Sequence, residues 1–428
     1  MKLIRIASLL LALIFMQFNL PLVSAETDPL SGAYPQTNGK AVILMDAKSG
    51  RVLYENNSNE QLPPASLTKI MTGLLVVENG DLDKKVTISE YAAETPECTV
   101  YLEAGETLTR MELLYAAMLP SANDASTALA ESVSGHEADF LKLMNQRARE
   151  LGLSNTHFLN AHGLEAPGHY SSAYDLALIT KEALSHPVFI EVTESKRAVI
   201  PWASRADEDR ILLNQNRLLS RYEGAVGVKT GYTKQAGNCV VGAAQRGDML
   251  LIAVSMNSPT VYDDLIQMLD FGFANYQVIT LGAKEDILGE VKVLKGEATS
   301  IKAKAVNNIS IAVTEEEALY LTYLVNLEPT VTAPVKFGEK LGVCTIYLKG
   351  EEIGSIDMAA TQTVTQNPSV MESLAAGSLI IKWGIALMGL ITVAIIYISR
   401  KSLEEALKRC LLYLLRNRLP DQSRNQRL

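Results

Sequence analysis

Three short groups of residues in this chain have the types and spacing to do chemistry. The first is Ser66-Leu67-Thr68-Lys69, preceded by Pro63-Pro64 and followed by apolar Ile70, Met71, Leu74, Leu75 and Val77. Two prolines ahead of an apolar helical run place Ser66 near a helix N-terminus. A spacing of three residues, about one helical turn, puts Lys69 on the same face. A serine hydroxyl is a poor nucleophile until a base takes its proton. A lysine can be that base when burial and neighbouring cations lower its pKa, and the helix N-terminus adds positive potential where negative charge develops. The second group, Ser121-Ala122-Asn123, follows Pro120 between two helical runs. Ser121 can relay a proton between Lys69 and a leaving group, and the Asn123 amide can hold Lys69 or a substrate carbonyl; taken alone, both are also common helix caps. The third, Lys229-Thr230-Gly231, ends the run Gly224-Ala225-Val226-Gly227-Val228. It offers a cation and a hydroxyl suited to a carboxylate, and a glycine where a ligand backbone can approach; by itself it also reads as an ordinary polar strand end.

The elements that must hold these residues follow from hydrophobic patterning. Residues 27–38, rich in Pro, Gly, Ser and Thr, read as a leader. Ala41 to Glu55 reads as a hairpin with its turn at Asp46-Ala47-Lys48-Ser49-Gly50. A helical region is expected from about Ser66 to Pro187. Its start signals include a capping box of Thr109 with Glu112 and the analogous pair Ser172 and Asp175. Phe140, Leu143, Met144, Ala148 and Leu151 recur at helical spacing. Strands return at Gly224 to Lys229, Asn238 to Ala244 and Met249 to Met256, before a closing helix at Asp263 to Ala274. Strands at both ends of a helical middle predict an α+β domain whose sheet joins the two ends. After about Tyr276 come short strand-like runs: Val291-Lys292-Val293, Ile301 to Ala305, Ile309 to Val313, Tyr320 to Val325, Thr330 to Val335 and Val343 to Leu348. They read as a small all-β domain. Polar residues 361–378 read as a linker.

Both ends of the chain address a membrane. Lys2 and Arg5, the apolar run Ile6 to Phe18 and the small-residue site Val23-Ser24-Ala25 form a secretory signal, so that Glu26 begins the mature chain. Leu379 to Ile398 is 20 residues long with one charge, Lys382, near its end, enough to cross a hydrocarbon core about 30 Å thick. No Lys or Arg lies between Lys349 and Lys382, whereas Arg400, Lys401, Lys408 and Arg409 follow the span. The positive-inside rule therefore puts the tail in the cytoplasm and the body outside. Leu403 to Leu419, mixing leucines with Lys408, Arg409, Arg416 and Arg418, suits the inner membrane surface. The charge divides in the same way. The chain carries −9 overall; with +5 in residues 399–428 and +2 at the N-terminus, the body carries −16. An acidic body argues against a nucleic-acid partner. The four cysteines, Cys98, Cys239, Cys344 and Cys410, show no paired spacing and no C-x-x-C, which leaves zinc-ribbon and thioredoxin-type readings unsupported.

Ser-x-x-Lys, Ser-x-Asn and Lys-Thr-Gly in this order form the set carried by serine β-lactamases and penicillin-binding proteins. The sequence resembles the low-molecular-weight penicillin-binding proteins, the serine-type D-alanyl-D-alanine carboxypeptidases, and looks nearest to their sporulation-associated branch. Asp46 to Glu55, Pro63 to Thr72, Pro120 to Ala125, Asn160 to Leu164, Lys229 to Gly237 and Phe337-Gly338-Glu339-Lys340 also carry the likeness, which covers roughly Lys40 to Met358. The departure is Ala122, where other members often have glycine.

The resemblance implies a penicillin-binding/β-lactamase-like serine transpeptidase fold, a sheet plus a helical subdomain. The expected order is signal peptide 1–25, leader 26–38, catalytic domain 39–276, β domain 277–360, linker 361–378, membrane helix 379–398 and cytoplasmic basic tail 399–428. It implies that Ser66 attacks the carbonyl between the two terminal D-alanines of a peptidoglycan stem peptide and that Lys69 is the general base. Ser121 and Lys229 pass a proton to the departing D-alanine, with Asn123 beside them, while Lys229, Thr230 and Gly231 hold the substrate. The backbone N–H groups of Ser66 and of Tyr232 or Thr233 form the oxyanion hole, and β-lactams acylate Ser66. No cofactor and no metal are implied.

Three rivals share features with this reading. A β-lactamase, or a D,D-endopeptidase of the same fold, shares the motifs. A fast β-lactamase needs a second base; Glu165 is the nearest candidate, but Asn160-Ala161-His162-Gly163-Leu164-Glu165 lacks the Glu-x-x-Leu-Asn pattern of one such class, so Glu165 reads as a loop residue. A zinc peptidase would draw on His157, His162 and His169, yet no His-x-x-x-His occurs, and His162 reads as fixing its own loop. A non-catalytic wall-binding protein would not need an activated serine.

Overall fold

The structure, a computed structural model, describes residues 34–205, 207–367 and 370–416. The signal peptide, most of the leader and the last residues of the tail lie outside the described residues. The chain forms two compact units. Among the described residues, one holds those from 34 to 289 together with Ala303–Leu327 and Lys340–Ala359; the other holds Glu290–Lys302, Glu328–Glu339 and those from 360 to 416.

The centre of the first unit is a five-stranded sheet. Its order is Val52–Asn56, Ala41–Asp46, Met249–Met256, Gly237–Arg246 and Ala225–Thr233, antiparallel throughout. The expected joining of the two ends of the domain is thus the pairing of Ala41–Asp46 with Met249–Met256. Both of these strands are buried on both faces. Helices pack on each side, which is why both strands read as apolar runs without polar alternation. The closing helix, Val261–Asn275, covers one face through Leu265, Met268 and Leu269. The helical middle covers the other through Ile70, Met71 and Leu74, with Leu176, Ala177 and Phe189.

The start signals fold as expected. Thr109 and Glu112 form a reciprocal capping box at Arg110–Met118, and Ser172 caps Ala173–Ala183 by accepting from Asp175 N–H. In Glu137–Glu150, Phe140, Met144 and Ala148 face the core, whereas Leu143 is exposed. Two antiparallel strand pairs escaped the sequence reading: Lys85–Thr87 with Thr107–Thr109, and Arg197–Pro201 with Asp209–Leu213. The first has strands of three residues, too short for a pattern. The second presents Val199, Ile211 and Leu213 outward, so its apolar residues do not mark a buried face.

Further along the first unit, Gln277–Gly282 pairs with Ile309–Val313, and Leu321–Leu327, Lys340–Leu348 and Glu351–Ala360 form an antiparallel meander. Arg51, in the turn of the first hairpin, donates to Ala312 O at 2.7 Å and pairs with Glu317 at 2.6 Å. In the second unit, residues 292–294 run parallel to Thr330–Thr332.

The C-terminal segment differs from its expected subdivision. The polar stretch 361–378 is helical from Val370, and a single helix, Val370–Arg416, takes in both the span at Leu379–Ile398 and most of the segment expected at the membrane surface. No proline lies between Val370 and Arg416, and Arg400 and Lys401 are good helix formers, so nothing interrupts the backbone ladder. Lys382–Leu414 is long and apolar enough to cross a membrane, and none of it is buried in the protein.

Candidate active site

Ser66 lies in a single 3-10 turn, Ala65–Thr68, that runs directly into the helix Lys69–Asn79. Ala65 has φ +47°, a left-handed conformation rarely adopted by a residue with a Cβ. Two glycines from separate segments make room for this turn. A Cβ on Gly163 would lie 1.9 Å from Ala65 O, and one on Gly231 would lie 3.1 Å from Ser66 N. The peptide between Ala65 and Ser66 thus occupies space that a side chain at Gly163 would fill and one at Gly231 would crowd.

Lys69 is fully buried. Its Nζ lies 3.2 Å from Ser66 Oγ and donates to Asn123 Oδ1 and His162 O, each at 2.7 Å. Asn123 opens the helix Asn123–Ser134, and its amide orientation is fixed because Nδ2 donates to Pro96 O at 2.8 Å. Its backbone N–H donates to Cys98 O at 2.6 Å. Burial, and then repulsion from Lys229, hold the Lys69 ammonium well below the ordinary lysine range.

Ser121 has φ +70° and is buried, and its Oγ has no hydrogen-bond partner. A helix-capping role would have engaged that oxygen; neither Ser121 nor Asn123 caps by its side chain. Backbone strain combined with an unpartnered buried hydroxyl is a combination that proteins retain at working sites.

Lys229, Thr230 and Gly231 lie on the edge strand Ala225–Thr233. Lys229 is buried, donates to Thr230 O at 3.2 Å, and is pushed down to about 7 by burial. Thr230 is half-buried. Ser66, Ser121, Thr230 and Gly231 line one cleft of about 840 Å³, together with Cys98, Tyr232, Asn238 and Arg217. All seven residues singled out in the sequence therefore converge: four line the cleft, and Lys69, Asn123 and Lys229 are buried beside them.

The loop after Phe158 supplies what the sequence reading missed. Thr72 Oγ1 donates to Ala161 O at 2.6 Å, and Asn160 Oδ1 accepts from Gly163 N–H at 2.6 Å, so the loop presents the His162 carbonyl to Lys69. The His162 imidazole does fix its own loop, its Nδ1 accepting from Leu164 N–H at 3.2 Å. Burial, then the nearby Lys69, lower it to about 3. His157 Nδ1 donates to Gly168 O at 2.9 Å. Glu165 accepts from Gln235 N–H at 2.9 Å, tying this loop to the segment after the edge strand, and that N–H bond keeps its carboxyl below the usual range. Glu165 does not line the cleft. Buried Asp124 accepts from Val100 N–H and Leu102 N–H, and the buried pair Arg210–Glu106, at 2.5 Å, anchors the same segment through Val100 O and Tyr101 O. That segment carries Cys98 into the cleft.

Residues 28–260 match the D-alanyl-D-alanine carboxypeptidase family, peptidase family S11. The chain belongs to this family. Residues 276–366 match the C-terminal domain of penicillin-binding protein 5, which accounts for the strands after the catalytic core. D-alanyl-D-alanine carboxypeptidase DacF of Bacillus subtilis is 36% identical over 366 residues, covering 83% of this chain and 93% of that protein. DacC of Escherichia coli is 33% identical over 349 residues, 78% of this chain and 86% of the relative. The fold is that of penicillin-binding protein 5 from Haemophilus influenzae, with a TM-score of 0.61 and 28% identity over 78% of this chain and all of that structure. Membership of a serine-peptidase family makes the chain a hydrolase, and the one apolar helix among the described residues that is long enough to cross a membrane, Lys382–Leu414, suggests membrane anchoring.

Proposed function

We propose that this protein is a membrane-held serine D-alanyl-D-alanine carboxypeptidase that trims the terminal D-alanine from peptidoglycan stem peptides and is acylated by β-lactams at Ser66. The observation that carries this reading is the contact of a fully buried lysine amine with Ser66 Oγ at the floor of an open cleft. A neutral lysine amine has two hydrogens and one lone pair. The two 2.7 Å acceptors, Asn123 Oδ1 and His162 O, take the hydrogens, and the lone pair is left for the Ser66 hydroxyl proton.

Ser66 Oγ then attacks the scissile carbonyl as its proton passes to Lys69. The developing oxyanion meets Ser66 N–H and Tyr232 N–H. Tyr232 is preferred over Thr233 because it lines the cleft, and an edge strand leaves backbone donors unpaired. Collapse of the tetrahedral intermediate breaks the peptide bond. The leaving D-alanine amine takes its proton through Ser121 Oγ, which is buried in the cleft wall and has no competing partner. Thr230 receives the terminal carboxylate. Water, activated by the same lysine, releases the acyl group and regenerates Ser66.

The test is a digest. Incubation with a stem peptide ending in D-Ala-D-Ala should release one D-alanine per peptide, read by mass. A labelled penicillin should form an adduct that maps to the tryptic peptide carrying Ser66. An adduct on another residue would overturn Ser66 as the nucleophile, and repeated rapid hydrolysis of the penicillin without D-alanine release would overturn the assignment in favour of a β-lactamase. Cleavage confined to crosslinked dimers would make it an endopeptidase.

We further propose a signal peptide cleaved after Ala25, a body on the external face of the cell membrane and a basic tail in the cytoplasm. The positive flank after Ile398 supports this orientation. Protease added to intact spheroplasts should digest residues 26 to about 370 and spare an epitope at the C-terminus; protection of the body would reverse the orientation.

A further inference from the structure

Behind the nucleophile turn runs a buried chain of hydrogen bonds that touches no cleft-lining side chain. Leu159 N–H donates to His169 Nδ1 at 3.2 Å. His169 Nε2 lies 2.9 Å from Thr68 Oγ1, and Thr68 Oγ1 donates to Ala65 O at 2.9 Å. Thr68 is fully buried and His169 nearly so. The direction of every bond is forced. A backbone N–H can only donate, so Nδ1 carries no proton and Nε2 does. Thr68 gives its one hydrogen to Ala65 O, so it must accept from His169. Burial keeps the imidazole neutral, down to about 4, in keeping with this single tautomer.

The end of the chain is what gives it meaning. Ala65 C=O and Ser66 N–H belong to one planar peptide unit, so holding the oxygen fixes where the N–H points. Ala65 sits at φ +47°, a conformation that relaxes unless its surroundings hold it. Gly163 leaves room for the same oxygen, but its N–H donates to Asn160 Oδ1 and does not hold that oxygen.

We propose that His169, acting through Thr68, is a positioning residue that aims the Ser66 N–H into the cleft as an oxyanion donor. This rests on the reading of Ser66 as nucleophile. The role is one of rate: the oxyanion exists only in the transition state, so loss of aim lowers kcat and leaves KM nearly unchanged. Removing an oxyanion donor outright costs about 10²–10³ in kcat, and misdirecting one should cost about 10-fold or more of that.

The experiment uses the full-length protein in detergent, with a D-Ala-D-Ala stem peptide for kcat and KM and a labelled penicillin for acylation. His169→Leu should lower kcat at least about 10-fold with KM within about twofold. His169→Gln can accept from Leu159 and donate to Thr68, and should recover most of the rate. Thr68→Val leaves the imidazole bonded to Leu159 and should show the same kcat loss even if His169→Leu fails to fold. The double variant His169→Gln/Thr68→Val should be no slower than Thr68→Val alone. A loss that falls on KM, or a Thr68→Val enzyme with parental kcat, overturns the proposal. Ser66→Ala separates the two layers: label persisting on that variant defeats the nucleophile assignment itself, whereas its absence leaves the His169 result to stand or fall alone.

Discussion

Replacing Lys69 by methionine should lower the rate of Ser66 acylation by about 10²–10⁴-fold, the range that a positioned general base contributes. Methionine keeps the length and bulk of the side chain and removes the amine. Ser66 Oγ then loses its 3.2 Å contact with Nζ, and Asn123 Oδ1 and His162 O lose their shared donor. Each orphaned acceptor costs roughly 1–3 kcal/mol, offset in part because a buried lysine no longer needs desolvation. The melting temperature should therefore shift modestly while acylation collapses. The measurement is the second-order rate of labelled-penicillin attachment, with Ser66→Ala as the zero. A Lys69→Met rate within about tenfold of the parent would place the base elsewhere.

The two lysines also set the pH profile. The productive enzyme has Lys69 neutral and Lys229 charged. Both are pushed down by burial, and Lys69 further by the Lys229 charge. Loss of the Lys69 proton, eased by burial and by the Lys229 charge, should raise acylation as pH rises, and loss of the Lys229 proton, held at about 7, should lower it. Lys229→Arg keeps a cation that does not titrate in this range, so the alkaline limb should move to much higher pH. An unchanged alkaline limb in that variant would remove Lys229 from the profile.

The order Ser66, Lys69, Ser121, Asn123, Lys229, Thr230, Gly231 was legible because each carries its chemistry on a side chain, or on the lack of one, at motif spacing. The core strands were legible because both faces are buried and the sequence is continuously apolar. What the sequence hid sits on the backbone. The acceptor that shares Lys69 with Asn123 is a carbonyl, His162 O, and no side-chain pattern announces a carbonyl. The His169–Thr68–Ala65 chain joins residues about a hundred positions apart, a closeness set only by the packing of the loop after Phe158 against the nucleophile turn. Strands Gln277–Gly282 and Glu351–Ala360 were missed for a different reason: the first has no buried residue, and the second opens on Glu351-Glu352 and separates Ile353 from Ile356 by Gly354-Ser355, so neither shows the apolar period that marks a buried face.

Gly163→Ala should be nearly as damaging as loss of a catalytic group, although position 163 has no functional side chain. A Cβ there would lie 1.9 Å from Ala65 O and 2.9 Å from Ser66 N, where real contacts essentially never fall below 3.0 Å. The peptide carrying the nucleophile would have to retreat by about 1 Å, and a misplacement of that size costs about 10²-fold in rate. Gly163 also has φ +94°, so alanine adds a backbone penalty of roughly 1–2 kcal/mol. The two effects can be separated within the same loop. Gly168 has φ +93°, but its nearest neighbour would be Leu159 Cδ1 at 3.7 Å, an ordinary contact. Gly168→Ala should therefore carry the backbone penalty alone, lowering the melting temperature while leaving acylation within a few-fold of the parent. Gly163→Ala should lose acylation by about 10²-fold or more beyond that control. Equal acylation rates in the two variants would mean that the turn yields freely, and that the space left by Gly163 beside Ala65 O is not needed to keep Ser66 in place.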